Sequence, residues 1–232
     1  MNQKVITSDD QEIIIDNYLR VRDTIKVASI EAGRNPVDIR LIVVSKTQSV
    51  RAIEPLLELG HLDFGENRIQ EAQSKWVDLK IKFPETKLHL IGSLQTNKAL
   101  DAVKISDTIH SLDRHKLALS LVKAMNRSSN SPDYFIQVNT GAEPQKSGVS
   151  YENADAFIKE CRDIHRISVV GLMCLPPKGE DPAPHFARLK EIADRNFIRH
   201  LSMGMSSDFV TAIKCGATYV RVGTSIFGIR EY

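Results

Sequence analysis

The stretch 39–46, Ile39-Arg40-Leu41-Ile42-Val43-Val44-Ser45-Lys46, decides how the rest of the chain is read. From Leu41 to Val44 it is apolar without a break and mostly β-branched, which reads as a parallel strand covered on both faces. Shorter runs of the same kind recur at 61–64, 88–91, 108–112, 134–138, 168–174, 198–203 and 217–222, making eight strand candidates in all. Helix-length segments separate many of them. In 67–82, Ile69, Ala72, Trp76 and Leu79 share one face, and 115–125, 152–165, 185–195 and 207–215 follow, the last closed by Gly216. A further helix at about 9–32 precedes the first strand and ends at Gly33.

Eight strands in alternation with helices, at about 29 residues per unit, predict a (β/α)8 barrel with an extra N-terminal helix, one domain over 1–232. The rival is a doubly wound open sheet. No Gly-x-Gly-x-x-Gly follows any strand and no P-loop is present, so that rival lacks its nucleotide-binding signature. The Pro-rich segment 176–184 reads as one loop after the sixth strand rather than a domain boundary.

Composition narrows the function classes. Lys+Arg 31 against Asp+Glu 29 leaves a net charge of +2, which gives no electrostatic case for a nucleic-acid or membrane-surface partner. Cys161, Cys174 and Cys215 are widely spaced and odd in number, which fits reduced thiols better than a disulfide framework or a zinc cluster. No His-Glu-x-x-His occurs, and His110 and His115 read as ordinary polar residues, so no metal site is expected. The N-terminal dozen residues lack the apolar core of a signal peptide, and no apolar run approaches the ~20 residues needed to span a bilayer. A cytoplasmic protein is expected.

Barrel proteins build their sites at the carboxyl ends of the strands. There the first strand delivers Lys46, the second runs into Gly65-Glu66-Asn67, the seventh ends in Ser202-Met203-Gly204-Met205-Ser206 and the eighth in Arg221-Val222-Gly223-Thr224. A lysine at the mouth of a closed barrel is partly desolvated, which favours a neutral, nucleophilic amine; a strand-end lysine reaching into solvent is the alternative. The loops after strands seven and eight are the recurrent phosphate site of this architecture, and both are rich in Gly, Ser and Thr. With a helix beginning near Ser206, they make Ser206, Gly223 and Thr224 the candidate phosphate ligands. Closure pairs strand eight with strand one and brings Arg221 towards the same mouth. A flat, phosphorylated, aldehyde-bearing heterocycle meets all three demands.

The blocks VVSKTQ (43–48), FGENRIQE (64–71), IGSLQTNK (91–98), VNTGAEPQKSGV (138–149), GLM (171–173), LSMGMSSDF (201–209) and GATYVRVGTSIFGIREY (216–232) run in order through most of the chain. Together they resemble the pyridoxal phosphate homeostasis protein family. The resemblance implies a barrel of the alanine racemase N-terminal type, with pyridoxal 5′-phosphate (PLP) as a Schiff base on Lys46. It implies phosphate contacts from Ser206, Gly223 and Thr224, Arg221 against the ring nitrogen, and Asn67 and Met203 lining the cofactor. Lys146 matches a family lysine, as a secondary cofactor contact or a solvated one, and His89 is placed at the mouth as a structural histidine. One departure stands out: Leu88-His89-Leu90-Ile91-Gly92 replaces the family's Trp-His-Phe-Ile-Gly.

Two functions remain open on this reading. One is a non-catalytic carrier that buffers PLP or delivers it to PLP-dependent apo-enzymes; the other is a PLP-dependent amino-acid racemase. Two-base racemisation needs a second acid/base, which alanine racemases draw from a domain after the barrel, and this chain has only a short tail past Ser225. Arg221 also favours the carrier, because a guanidinium only donates and leaves a facing pyridine nitrogen unprotonated, a poorer electron sink. A cofactor-free Schiff-base aldolase would need a carboxylate beside Lys46, with Glu66 the obvious candidate. The expectation is a non-enzymatic PLP carrier acting as a monomer.

Overall fold

The computed structural model describes residues 6–143 and 145–228; Pro144 and the final four residues of the last family block lie outside them. Eight parallel strands close into a barrel: β1 (Arg40–Val44), β2 (Asp63–Glu66), β3 (Lys87–Leu90), β4 (Thr108–Leu112), β5 (Asp133–Asn139), β7 (Val169–Cys174), β8 (His200–Ser202) and β9 (Tyr219–Val222). The two-residue β6 (Val149–Ser150) is an appendage that pairs only with the end of β5. Closure is made by β1 against β9, with Ile42 opposite Arg221.

The expected strands are all present, with ends shifted by a residue or two. The second starts at Asp63 rather than His61, a shift of two that leaves its faces unchanged. Outside the barrel run α1 (Ser8–Glu31), α2 (Val50–Glu58), α3 (Ile69–Lys82), α4 (Ala99–Ile105), α5 (His115–Met125), α6 (Ala154–Lys159), α7 (Pro182–Arg195), α8 (Phe209–Lys214) and α9 (Thr224–Phe227). The sequence reading passed over α2 and α4. The first is a nine-residue helix with Pro55 inside it, and the second is only seven residues long.

Most of the core lies between sheet and helices, where Leu41, Val43, Phe64 and Trp76 pack with no more than 7% exposed. A smaller cluster of Ile42, Phe135, Met173 and Tyr219 fills the barrel itself. The N-terminal helix is part of the wall. Thr7 and Asp10 start α1 with a reciprocal capping box. Its stripe of Ile14, Tyr18, Val21, Ile25 and Ala28 then packs between α8 and α2. The last β/α unit offers only the four-residue α9 there, so α1 serves as the missing eighth helix.

Candidate functional site

Strand alternation sets the site. Ile42 points into the barrel while Leu41 and Val43 face the helices, so the same alternation carried past Val44 puts Lys46 on the inner side at the open end. Lys46 is half-buried, and the chain turns sharply after it, with Thr47 in the left-handed region at φ 64. That conformation costs a β-branched residue of order 1 kcal/mol or more. It is held from α3: the Thr47 N–H donates to Glu71 Oε1, and Lys75 Nζ donates to Ser45 O at 2.9 Å and Gln48 O at 3.4 Å.

Glu66 belongs to that clamp. Its Oε1 accepts from Ser45 Oγ at 2.7 Å and Trp76 Nε1 at 3.1 Å and pairs with Lys75 Nζ at 2.7 Å, all on the helix side of β2. Burial pushes its carboxyl above the usual range, against the pull of Lys75. Turned away from the barrel interior, it is not the acid/base that an aldolase would need beside Lys46.

Arg221 points inward from β9, one layer below the mouth, and is 4% exposed. Nη1 donates to Ser202 Oγ at 2.7 Å and Nη2 to Cys174 O at 2.9 Å. Burial, with no carboxylate in contact among the described residues, lowers the guanidinium to about 10. A guanidinium carries five N–H donors, so part of its capacity is left for an acceptor above it.

The two candidate phosphate loops meet. Ser225 N–H donates to Ser206 Oγ at 3.3 Å, which brings Ser206 beside Gly223 and Thr224. The helix after Ser206 begins later than expected, at Phe209, so Ser206 sits in the preceding turn rather than in the first helical turn. Gly204 makes that turn possible. It has φ +90, and a Cβ there would lie 2.5 Å from Ala212 Cβ.

Asn67 is half-buried at the mouth, and Gly92 packs against its backbone, where a Cβ would meet Asn67 O at 2.2 Å. Met203 is fully buried in the layer between sheet and helices, so its side chain is not brought to the mouth. Lys146 lies in the loop after β5, where its Nζ pairs with Glu143 at 2.5 Å and donates to Pro176 O, in the loop after β7, at 3.2 Å. His89 lies deeper than the expected mouth position, bonded at 2.9 Å to Asp63, the first residue of β2.

The groups missed by sequence reasoning are Lys75 and Glu71, which grip the Lys46 loop, and His110 and Ser202 inside the barrel. Only a strand-by-strand face assignment would have signalled the last two. The three cysteines are free. Among the described residues one set of metal-type donors converges, His115, Glu160 and His165 on the outer helices. There Glu160 Oε1 bonds both imidazoles, which accounts for the arrangement. Among the described residues no helix is long and apolar enough to cross a membrane.

A family model for the alanine racemase N-terminal domain matches residues 24–231. The pyridoxal phosphate homeostasis protein of Aquifex aeolicus is 39% identical over 222 residues, covering 92% of this chain and 96% of its own. PipY of Synechococcus elongatus, solved with PLP bound, is 33% identical with a TM-score of 0.75, over 88% of this chain and 99% of its own. The alanine racemase of Clostridium difficile is alike in fold alone, at 15% identity and a TM-score of 0.70; the match reaches 61% of its length.

Proposed function

The chain belongs to the pyridoxal phosphate homeostasis protein family, on a barrel of the alanine racemase N-terminal type, and from that premise we propose that it binds PLP covalently through Lys46 and holds it for release to other proteins. When bound, this cofactor supplies an aldehyde that condenses reversibly with a primary amine, with loss of one water. Lys46 offers that amine at the inner rim of the mouth. Ser206, Gly223 and Thr224 form the phosphate cradle, with hydroxyl and backbone N–H donors on two loops that are bonded to each other. Asn67 flanks the ring, and Met203 shapes the site only from behind the sheet. The observation that carries the reading is Arg221: a buried, donor-only side chain with N–H capacity left over, aligned below Lys46 where a pyridine nitrogen needs a donor.

The same geometry favours a carrier over a racemase. The carboxylates that hold the Lys46 loop, Glu66 and Glu71, are both engaged by Lys75. Arg221 leaves the ring nitrogen unprotonated, which weakens stabilisation of a carbanion. The protein then acts in the cytoplasm as a monomer, passing PLP to PLP-dependent apo-enzymes.

Borohydride reduction of the yellow protein is expected to attach the cofactor to the peptide containing Lys46, and Lys46→Ala to lose the visible band. A wild-type protein that stays colourless with added PLP overturns the reading. Racemase assays on alanine and serine are expected to give no turnover; robust turnover would reverse the choice between carrier and enzyme. Light scattering should return the chain mass of 26.0 kDa.

A further inference from the structure

Two buried histidines inside the barrel take no part in the contacts proposed so far. His89 on β3 is 2% exposed and His110 on β4 is fully buried. They sit in a continuous hydrogen-bonded chain. His89 Nε2 lies 2.9 Å from Asp63 Oδ1, and His89 Nδ1 lies 3.0 Å from His110 Nε2. His110 Nδ1 lies 3.0 Å from Ser202 Oγ, which accepts from Arg221 Nη1 at 2.7 Å. The Phe135 ring stacks on His110 at 4.2 Å, only 5° from parallel, and fixes the plane of that imidazole.

With both imidazoles neutral, the two ends set the direction of every bond. A guanidinium can only donate and an ionised carboxylate can only accept. Ser202 Oγ receives a hydrogen from Arg221 and gives its own to His110 Nδ1. His110 then donates through Nε2–H to His89 Nδ1, and His89 donates through Nε2–H to Asp63. Each donor then meets one acceptor. Burial first, then the proximity of His89 and Arg221, keeps His110 well below its ordinary value. The His89 hydrogen bond holds the Asp63 carboxyl low although burial opposes it.

The arrangement answers a problem set by Arg221. A buried guanidinium without a carboxylate in contact is costly, and polarised hydrogen-bond chains spread such a charge. The far end reaches the opposite face of the barrel, where the partly exposed Asp63 lies 3.8 Å from Arg40. We propose that Asp63, His89, His110 and Ser202 are positioning residues that aim Arg221 at the cofactor's ring nitrogen and balance its charge through a one-way relay across the barrel. This role rests on the PLP reading above; the direction of the relay does not.

Two measurements test it. Nitrogen-15 NMR of the histidine side chains in the cofactor-free protein should show His89 and His110 as neutral Nε2–H tautomers at pH 7. An Nδ1–H tautomer or a charged ring at either position overturns the relay. Asp63→Asn and Ser202→Ala should then weaken PLP binding about tenfold and move the visible band of the bound cofactor. Asp107→Asn, which breaks the half-buried pair with Lys80 outside the barrel, should lower stability without moving that band. If Asp63→Asn and Ser202→Ala bind PLP with wild-type affinity and spectrum, the positioning role falls. A wild-type protein with no band sinks the cofactor reading instead, and the tautomers still decide the relay.

Discussion

One ammonium group organises the loop that presents Lys46. Lys75 Nζ reaches Ser45 O and Gln48 O on either side of it, and lies 2.7 Å from Glu66 and 2.8 Å from Glu71. Removing it strands Glu66, whose side chain is fully buried, as an unpaired charge. Lys75→Met is therefore expected to cost about 3 kcal/mol in urea denaturation and to slow borohydride-trapped attachment at Lys46. Wild-type stability together with wild-type trapping would show that the clamp is idle. The FGEN block made Glu66 visible in the sequence, but not its direction. In a strand buried on both faces the polar–apolar alternation that reveals facing is absent.

Among the elements, the turn between β8 and α8 is tightly constrained. Gly204 holds a positive φ, and an added Cβ would press on Ala212 at 2.5 Å and Phe209 Cα at 2.9 Å. Gly204→Ala combines backbone strain with overpacking. Its thermal midpoint should fall by an amount worth about 2 kcal/mol or more, and its PLP affinity should drop because the turn carries Ser206. Calorimetry and spectral titration check the two effects, and neither should appear alone. The glycine-rich character of this segment was legible in the sequence. The start of the helix was not, because the Ser-Ser-Asp run at 206–208 offers several capping residues, and Asp208 takes the N-cap position without a side-chain capping bond.

At the scale of the whole molecule, buried histidines couple the barrel to pH. His61, His110 and His200 all lie below their ordinary value, burial being the first cause in each. The folded state refuses a proton that the unfolded chain takes up below about pH 6.5. Their contribution to stability is therefore complete above that pH and falls as the pH drops through it. His110 alone should contribute about 1.4 kcal/mol per pH unit, and the half-buried His200 less. Urea midpoints between pH 7.5 and 5.5 should show this slope, and a flat profile would contradict neutral burial of His110.

Sequence alone determined the order of strands, the lysine at the end of the first, the paired Gly/Ser loops after the last two, and Arg221 beside them. These are local signals: apolar runs, strand-end polar residues and glycines in turns. The tertiary structure decided the rest. It placed α1 in the eighth helical position, turned Glu66 outward into a clamp, drew the Met203 side chain into the layer behind the sheet, tied Lys146 to Glu143 and Pro176, and joined Asp63 to Arg221 through the barrel. The physical reason is that a buried polar group takes its partners from strands far apart in the chain, and only closure of the sheet brings those partners within bonding distance.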